Sequence, residues 1–152
     1  MQLKQLELEG GGTLTVYLRD SCERMPKAID RPLVLVVPGG GYTHVSAREG
    51  DPVALQFAAA GYHAAVLDYA ICEQAKDNLP LRQLAQAIGL VRQHADGWHI
   101  LPEKIAVCGF SAGGHLALSG AVREIPGECA QPRPNAVILG YPVITAGQYA
   151  HR

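Results

Sequence analysis

Apolar positions along the chain follow two rhythms, and their alternation predicts the architecture. Lys4 to Glu9 and Thr13 to Leu18 alternate apolar and polar residues on either side of Gly10-Gly11-Gly12, so an antiparallel N-terminal hairpin is expected. Asp20 to Pro32 is polar and reads as a loop. Leu33 to Val37 is continuously apolar and mostly β-branched, which suits a strand buried on both faces of a parallel sheet. Glu49 to Ala60 follows the helical period, with Val53, Ala54, Phe57 and Ala58 on one face and Gly61 placed as a C-terminal cap. His63 to Tyr69 is another buried strand. Asn78 is placed to cap a helix from Pro80, whose apolar stripe is Leu81, Leu84, Ala85, Ile88, Val91 and Ala95. Lys104 to Phe110 is expected as strand, Ala112 to Arg123 as helix and Asn135 to Gly140 as strand. Strand and helix alternate, so the fold class is α/β with a mainly parallel sheet.

Composition narrows the classes of function. At 152 residues the chain has room for one domain or part of one, so 1–152 is taken as a single, partial domain. Thirteen basic and fourteen acidic residues give a formal net charge of -1, without the basic excess that phosphate neutralisation needs, so no nucleic-acid partner is expected. The longest unbroken apolar run, Leu33 to Val37, is far short of the ~20 residues of a membrane helix, and the first residues lack a signal peptide's apolar stretch. A soluble, cytoplasmic protein without a membrane partner is expected. Cys22, Cys72, Cys108 and Cys129 are scattered, with no Cys-x-x-Cys pair or matching histidine spacing, so reduced thiols are expected and no metal site or disulfide framework.

Two glycine-rich segments carry the candidate chemistry. Gly109-Phe110-Ser111-Ala112-Gly113-Gly114 lies between an apolar strand and an apolar helix, the setting of a nucleophile elbow. A sharp strand-to-helix turn leaves little space for side chains, so glycines two before and two after the serine relieve crowding and raise its hydroxyl at the sheet edge. The helix that starts there offers N–H donors and a positive dipole end to an oxyanion. Pro38-Gly39-Gly40-Gly41-Tyr42 follows the earlier buried strand and offers further unobstructed backbone N–H groups. The expected oxyanion donors are Ala112, Gly40 and Gly41.

These two segments, with Arg48-Glu49-Gly50, Gly61-Tyr62, His115 and Tyr141-Pro142-Val143-Ile144-Thr145, resemble α/β-hydrolases of the esterase/lipase type. They are most similar to bacterial acetyl esterases and acetylxylan-esterase-like proteins. The likeness runs from Leu33 onward. Pro38 stands where many lipases and esterases have histidine before the three glycines, a variant that leaves the backbone donors intact. The resemblance implies a carboxylic-ester hydrolase with Ser111 as nucleophile, no cofactor, and short-acyl, chiefly acetyl, esters of carbohydrates as substrates. Tyr42 either lines the acyl or alcohol pocket or packs.

Acyl transfer of this kind needs an acid and then a histidine after the serine. Beyond Tyr141-Pro142 there is no acidic residue, and the one histidine is His151. The resemblance implies two further strands, so the expectation is a partial hydrolase domain, nearly inactive alone, without a triad acid or histidine. His115 lies four residues along the outgoing helix and is expected to be structural, while His44, after the glycines, is the better compensating base or else a surface residue. His63, His94 and His99 are expected to titrate in solvent. Asp68 is expected beyond a neighbouring strand, bonded to loop backbone; Glu124 and Glu128 are expected as surface charge, Glu49 as a helix-end cap, and Cys108 and Trp98 as packing. Two other classes remain open: a binding or assembly module whose bare Ala136 to Leu139 edge recruits a second copy or a complementing C-terminal half, and a peptidase or amidase on the same scaffold.

Overall fold

The computed structural model describes residues 1–148 apart from Glu23, Met25, Lys27 and Ala28; the expectation concerning His151 lies outside the described residues. Six strands form one mixed sheet: β1 (Gln2–Glu7), β2 (Thr13–Leu18), β3 (Arg31–Val37), β4 (His63–Asp68), β5 (Ile100–Phe110) and β6 (Ala136–Gly140), in the order β1-β2-β4-β3-β5-β6. The β1–β2 and β2–β4 pairs are antiparallel; β4–β3, β3–β5 and β5–β6 are parallel. The α/β class, the N-terminal hairpin and the mainly parallel sheet are as read from the sequence.

The helices are α1 (Asp51–Ala59), α2 (Leu79–Gln93), the short α3 (Ala95–Trp98) and α4 (Ala112–Val122). Alternation along β3 assigns them to faces. Leu33, Leu35 and Val37 join the larger core with α2 and α4, whereas Val36 joins Ala54 and Ala58 of α1. One face is therefore covered by α1 and the other by α2 and α4. After β3 the chain passes through α1 to β4 on one side, then returns through α2 to β5 on the other, and the order of strands reverses between β3 and β5. Such a switch point opens a crevice beyond the carboxyl ends of the strands, where ligands of open α/β sheets bind.

Several boundaries differ from the sequence reading. The first strand ends at Glu7 because Leu8 donates back to Gly12 (2.8 Å) and Glu9 to the Gln86 side chain (2.9 Å). The first helix, expected from Glu49, starts at Asp51, after a 3-10 turn over Ala47–Glu49. Gly61 does sit just past α1 with φ +102°, and Tyr62 donates to Phe57 (3.1 Å), as a left-handed glycine terminus requires. Asn78 does not cap α2 with its side chain: its backbone is left-handed, φ 59°, and its Oδ1 accepts from Arg123 at 3.4 Å. The helix stops at Gln93, so Ala95 belongs to α3. Gln83, polar on the apolar stripe, is fully buried and staples two loops to α2, accepting from the Ala70 N–H and donating to the Glu9 carbonyl, both at 2.7 Å. No helix among the described residues is long and apolar enough to cross a membrane.

Candidate active site

The crevice at the switch point is bounded by the turn after β5 and the loop after β3. Ser111, half-buried, joins β5 to α4 with φ 51° and ψ -116°, a backbone region that costs a side-chain-bearing residue roughly 1–3 kcal/mol and persists only where its surroundings enforce it. Three hydrogen bonds do so. Ser111 donates to Gly140 (3.0 Å), and its carbonyl accepts from His115 (3.0 Å) and Val143 (3.1 Å). The flanking glycines are needed sterically: a Cβ on Gly109 would lie 2.3 Å from the Gly113 carbonyl oxygen, and one on Gly113 would lie 2.1 Å from that of Val37. The sequence argument for small residues around the serine therefore has a structural cause, close approach of the turn both to its own helix and to β3.

The glycine loop lies against the same turn. A Cβ on Gly39 would be 3.0 Å from Ser111 Cβ and 2.9 Å from the Phe110 carbonyl oxygen. Gly40 (φ +132°) and Gly41 (φ +63°) reverse the chain, so that Gly40 O accepts from the amides of Thr43 (3.0 Å) and His44 (3.3 Å), and Gly39 O from Ser46 (2.9 Å). Among the described residues, the N–H groups of Gly40, Gly41 and Ala112 donate to no protein acceptor. Gly39 differs, because its N–H is taken by Glu49 Oε2 at 2.7 Å.

Glu49 is one of the residues that sequence reasoning misassigned. It is not a helix cap. Its second oxygen accepts from the Tyr141 hydroxyl (2.9 Å), so one carboxylate ties the glycine loop to the segment after β6. Tyr141 itself is left-handed (φ 36°), with its ring 5.8 Å from that of Phe110. The shared Arg48-Glu49-Gly50 string was the available signal, but its partners lie 10 and 92 residues away.

Tyr42 and His115 form a pair at 2.9 Å between the Tyr42 hydroxyl and His115 Nδ1. Burial, with the positive charge of Arg123, pushes the His115 imidazole below its ordinary value; burial raises Tyr42 to about 12 despite Arg123. A neutral imidazole accepting from the phenol fits both directions. His115 is thus structural, as expected, and Tyr42 packs edge-on to Tyr69 at 5.7 Å while also lining a cavity beside α4. Tyr69 donates to Pro38 O at 2.7 Å, supporting the glycine loop from below.

The remaining candidates are dispersed. His44 is exposed and pairs with Thr43 Oγ1 (3.2 Å). Neither it nor His115 bonds the Ser111 hydroxyl. Asp68 lies beyond β3, as expected, but its side chain bonds no loop backbone among the described residues; burial and then the charge of Asp51 raise its carboxyl. His63 departs most from expectation. It is fully buried, accepting from the Arg19 N–H at Nδ1 (3.0 Å) and meeting the His99 carbonyl at Nε2 (3.0 Å). His94 stacks on Trp98 at 4.4 Å, and Trp98 closes α3. Cys108 is buried, and burial raises its thiol; Glu124 and Glu128 are exposed.

This fold, with strand-end glycine turns at the switch point, is that of the α/β-hydrolases. The chain belongs to the family described as BD-FAE, whose model matches residues 22–135. It is 36% identical over 133 residues to endo-1,4-beta-xylanase B of Butyrivibrio fibrisolvens, with 81% of this chain and 21% of that protein covered. It is 35% identical over 113 residues to an acetylxylan esterase of Xylanibacter ruminicola, with 74% and 22% covered. The crystal structure of an α/β hydrolase enzyme from a Medee basin deep-sea metagenome library superposes with a TM-score of 0.87 at 39% identity, covering 99% of this chain and 60% of that one. The chain thus spans about a fifth of these curated relatives and about three fifths of that solved structure.

Proposed function

We propose that the chain supplies the nucleophile and oxyanion-binding half of a carboxylic-ester hydrolase. Ser111 Oγ attacks the ester carbonyl carbon while its proton passes to a base, and the amides of Ala112, Gly40 and Gly41 hold the oxyanion. Collapse releases the alcohol with that proton, and water hydrolyses the acyl-serine to free the acid. Each donor of this kind is worth ~2.7–4 kcal/mol of barrier, so holding the glycine loop in place matters, and that is the role assigned to Glu49. One observation carries the reading: a strained serine backbone seated directly against a glycine loop whose Gly40 and Gly41 amides have no acceptor among the described residues. The acetylxylan esterase and xylanase relatives support acetyl or other short-acyl esters of carbohydrates as substrates.

No imidazole among the described residues bonds Ser111, and the reading assigns the triad acid and histidine to the rest of the whole protein. These 152 residues alone are expected to turn over about a million-fold more slowly. A fluorophosphonate probe applied to the whole protein is expected to label Ser111, as mapped by mass spectrometry, and Ser111→Ala to abolish the label. Label persisting on that variant removes Ser111 from this role. A second reading, an assembly module, is favoured by the apolar β6 edge and its neighbours, where Ile138 and Ile144 are 45% and 57% exposed. An unlabelled whole protein with a partner strand on β6 would favour it.

A further inference from the structure

The peptide joining Pro38 to Gly39 stands immediately before the unit that carries the Gly40 amide, and it is gripped at both ends. Its carbonyl, on Pro38, accepts from the Tyr69 hydroxyl at 2.7 Å; its N–H, on Gly39, donates to Glu49 Oε2 at 2.7 Å. The C=O and N–H of a trans peptide point in opposite directions, so a single partner leaves the unit free to swing, whereas partners on opposite sides fix its plane. Pro38 and Gly39 are both buried. Gly39 supplies no Cβ to resist rotation, and one there would meet Ser111 Cβ at 3.0 Å, so two side chains do what local sterics cannot.

Tyr69 reaches this peptide because of the sheet. Parallel pairing of Val36 with Val66 carries residue 69, just past β4, level with residue 39, just past β3. The ring is buried and packs edge-on against Tyr42, which limits sideways movement of the hydroxyl. Burial first, then Tyr42, Glu49 and Asp68, push the phenol above its ordinary value, so it remains a donor throughout the neutral range. The next two peptides are held by their carbonyls. Gly39 O accepts from the Ser46 N–H (2.9 Å), and Gly40 O from the N–H groups of Thr43 and His44 and from the Thr43 hydroxyl (2.9 Å). With those carbonyls turned toward the protein, the amides across the same planes, Gly40 and Gly41, are turned away from these donors. Of the three successive planes, Pro38–Gly39 is the one fixed by two side chains from elsewhere in the chain.

We propose that Tyr69 is a positioning residue for the oxyanion hole: acting with Glu49 through the Pro38–Gly39 peptide, its hydroxyl sets the direction of the Gly40 and Gly41 amides and keeps the Gly39 N–H out of the hole. Tyr69 acts through backbone rather than on substrate, and its role rests on the ester-hydrolase reading of Ser111. Oxyanion donors work at roughly 2.7–3.1 Å, and a misplacement of about 1 Å costs on the order of a hundredfold in rate, so partial release of this peptide is felt at the reacting carbonyl.

The test is steady-state hydrolysis of p-nitrophenyl acetate by the whole protein. Tyr69→Phe removes the hydroxyl and keeps the ring; kcat and kcat/KM are each expected to fall about tenfold with KM unchanged, as for an interaction made only in the transition state. Tyr69→4-aminophenylalanine, which retains a neutral N–H donor at the tip of the ring, should recover most of kcat. Either Tyr69→Phe or Glu49→Ala unlocks the same peptide, so the double variant should lose only about ten- to twentyfold in kcat rather than the product of the two single losses. A residue that merely packs would lower the melting temperature and leave kcat alone. The proposal is overturned if Tyr69→Phe keeps the parental kcat, if KM alone rises, if the two single losses multiply, or if Tyr69→Phe is too unstable to assay. A parent protein that neither hydrolyses the ester nor takes up the fluorophosphonate label overturns the hydrolase reading itself, an outcome told apart by the parent alone.

Discussion

The two ends of the same parallel strands are built on opposite terms. At their carboxyl ends, Ser111, Gly40, Gly41, Tyr42 and Tyr141 all hold positive φ, and three backbone N–H groups have no protein acceptor among the described residues. At their amino ends, the buried His63 imidazole joins β2 to the entry of β5 with both ring nitrogens satisfied. Arg31 bonds the Gly61 carbonyl at 2.8 Å, although its Nε is buried without a partner, the one such side-chain atom found among the described residues. Strain and unused donors are thus concentrated at one edge, where backbone pinned by close packing can be held ready for a ligand, while polar groups at the other edge are spent on holding strands together.

The comparison can be broken at either edge. The largest effect is expected from Gly113→Ala, whose new Cβ would meet backbone oxygens of Val37 and Pro38 at 2.1 and 2.3 Å, atoms unable to move aside. It should cost about 3 kcal/mol or more in urea unfolding; a loss below about 1 kcal/mol would show that the turn tolerates relaxation.

Next is His63→Leu at the opposite edge. It leaves the Arg19 N–H and the His99 carbonyl without partners, and about 2–3 kcal/mol should be lost. The pH dependence sharpens the point. Burial, reinforced by the charges of Arg31, His99 and Arg19, holds the folded-state imidazole below its ordinary 6.5. Between that lowered value and 6.5 the unfolded chain binds more protons, so stability is intact above pH 6.5 and falls as pH drops through the window. His115 is shifted the same way and adds a slope of the same sign. Unfolding curves from pH 7.5 to 5 should therefore show a shallower slope for His63→Leu than for the parent; equal slopes would mean that His63 takes up its proton without disturbance.

Glu49→Ala should separate the edges by function. Losing the acceptor of the Gly39 N–H is expected to cost about 1 kcal/mol of stability but to slow fluorophosphonate labelling of Ser111 in the whole protein about tenfold. Glu49→Gln, which keeps an acceptor, should recover most of the rate. Equal labelling by all three would detach Glu49 from the loop's positioning. The smallest effect belongs to Tyr42→Phe, which deletes one hydrogen bond to His115 and should lower stability by about 0.5–1.5 kcal/mol in the same assay.

Much of the architecture was legible because it is periodic. The apolar run of β3, the stripe of α2 and the glycines about Ser111 each encode their element within a few residues, and the order of strands and helices gives the class. Individual polar side chains were not legible in the same way. Glu49 looked like a helix-end charge because the residues it holds, Gly39 and Tyr141, come from other loops. Asn78 looked like a cap, yet its left-handed backbone turns the side chain toward Arg123. His63 looked solvent-exposed because an element end is normally wet, whereas here β2 and the α3–β5 junction close over it.

The sequence alone determined where the chain turns sharply, since only glycine tolerates the close approaches at 40, 109 and 113. Whether those turns meet was decided by tertiary structure. The β3–β5 pairing carries Gly39 to Ser111, and long-range hydrogen bonds choose which amides are occupied and which stay open. Local conformational preference is written residue by residue; hydrogen-bond satisfaction is settled only when distant segments compete for the same groups.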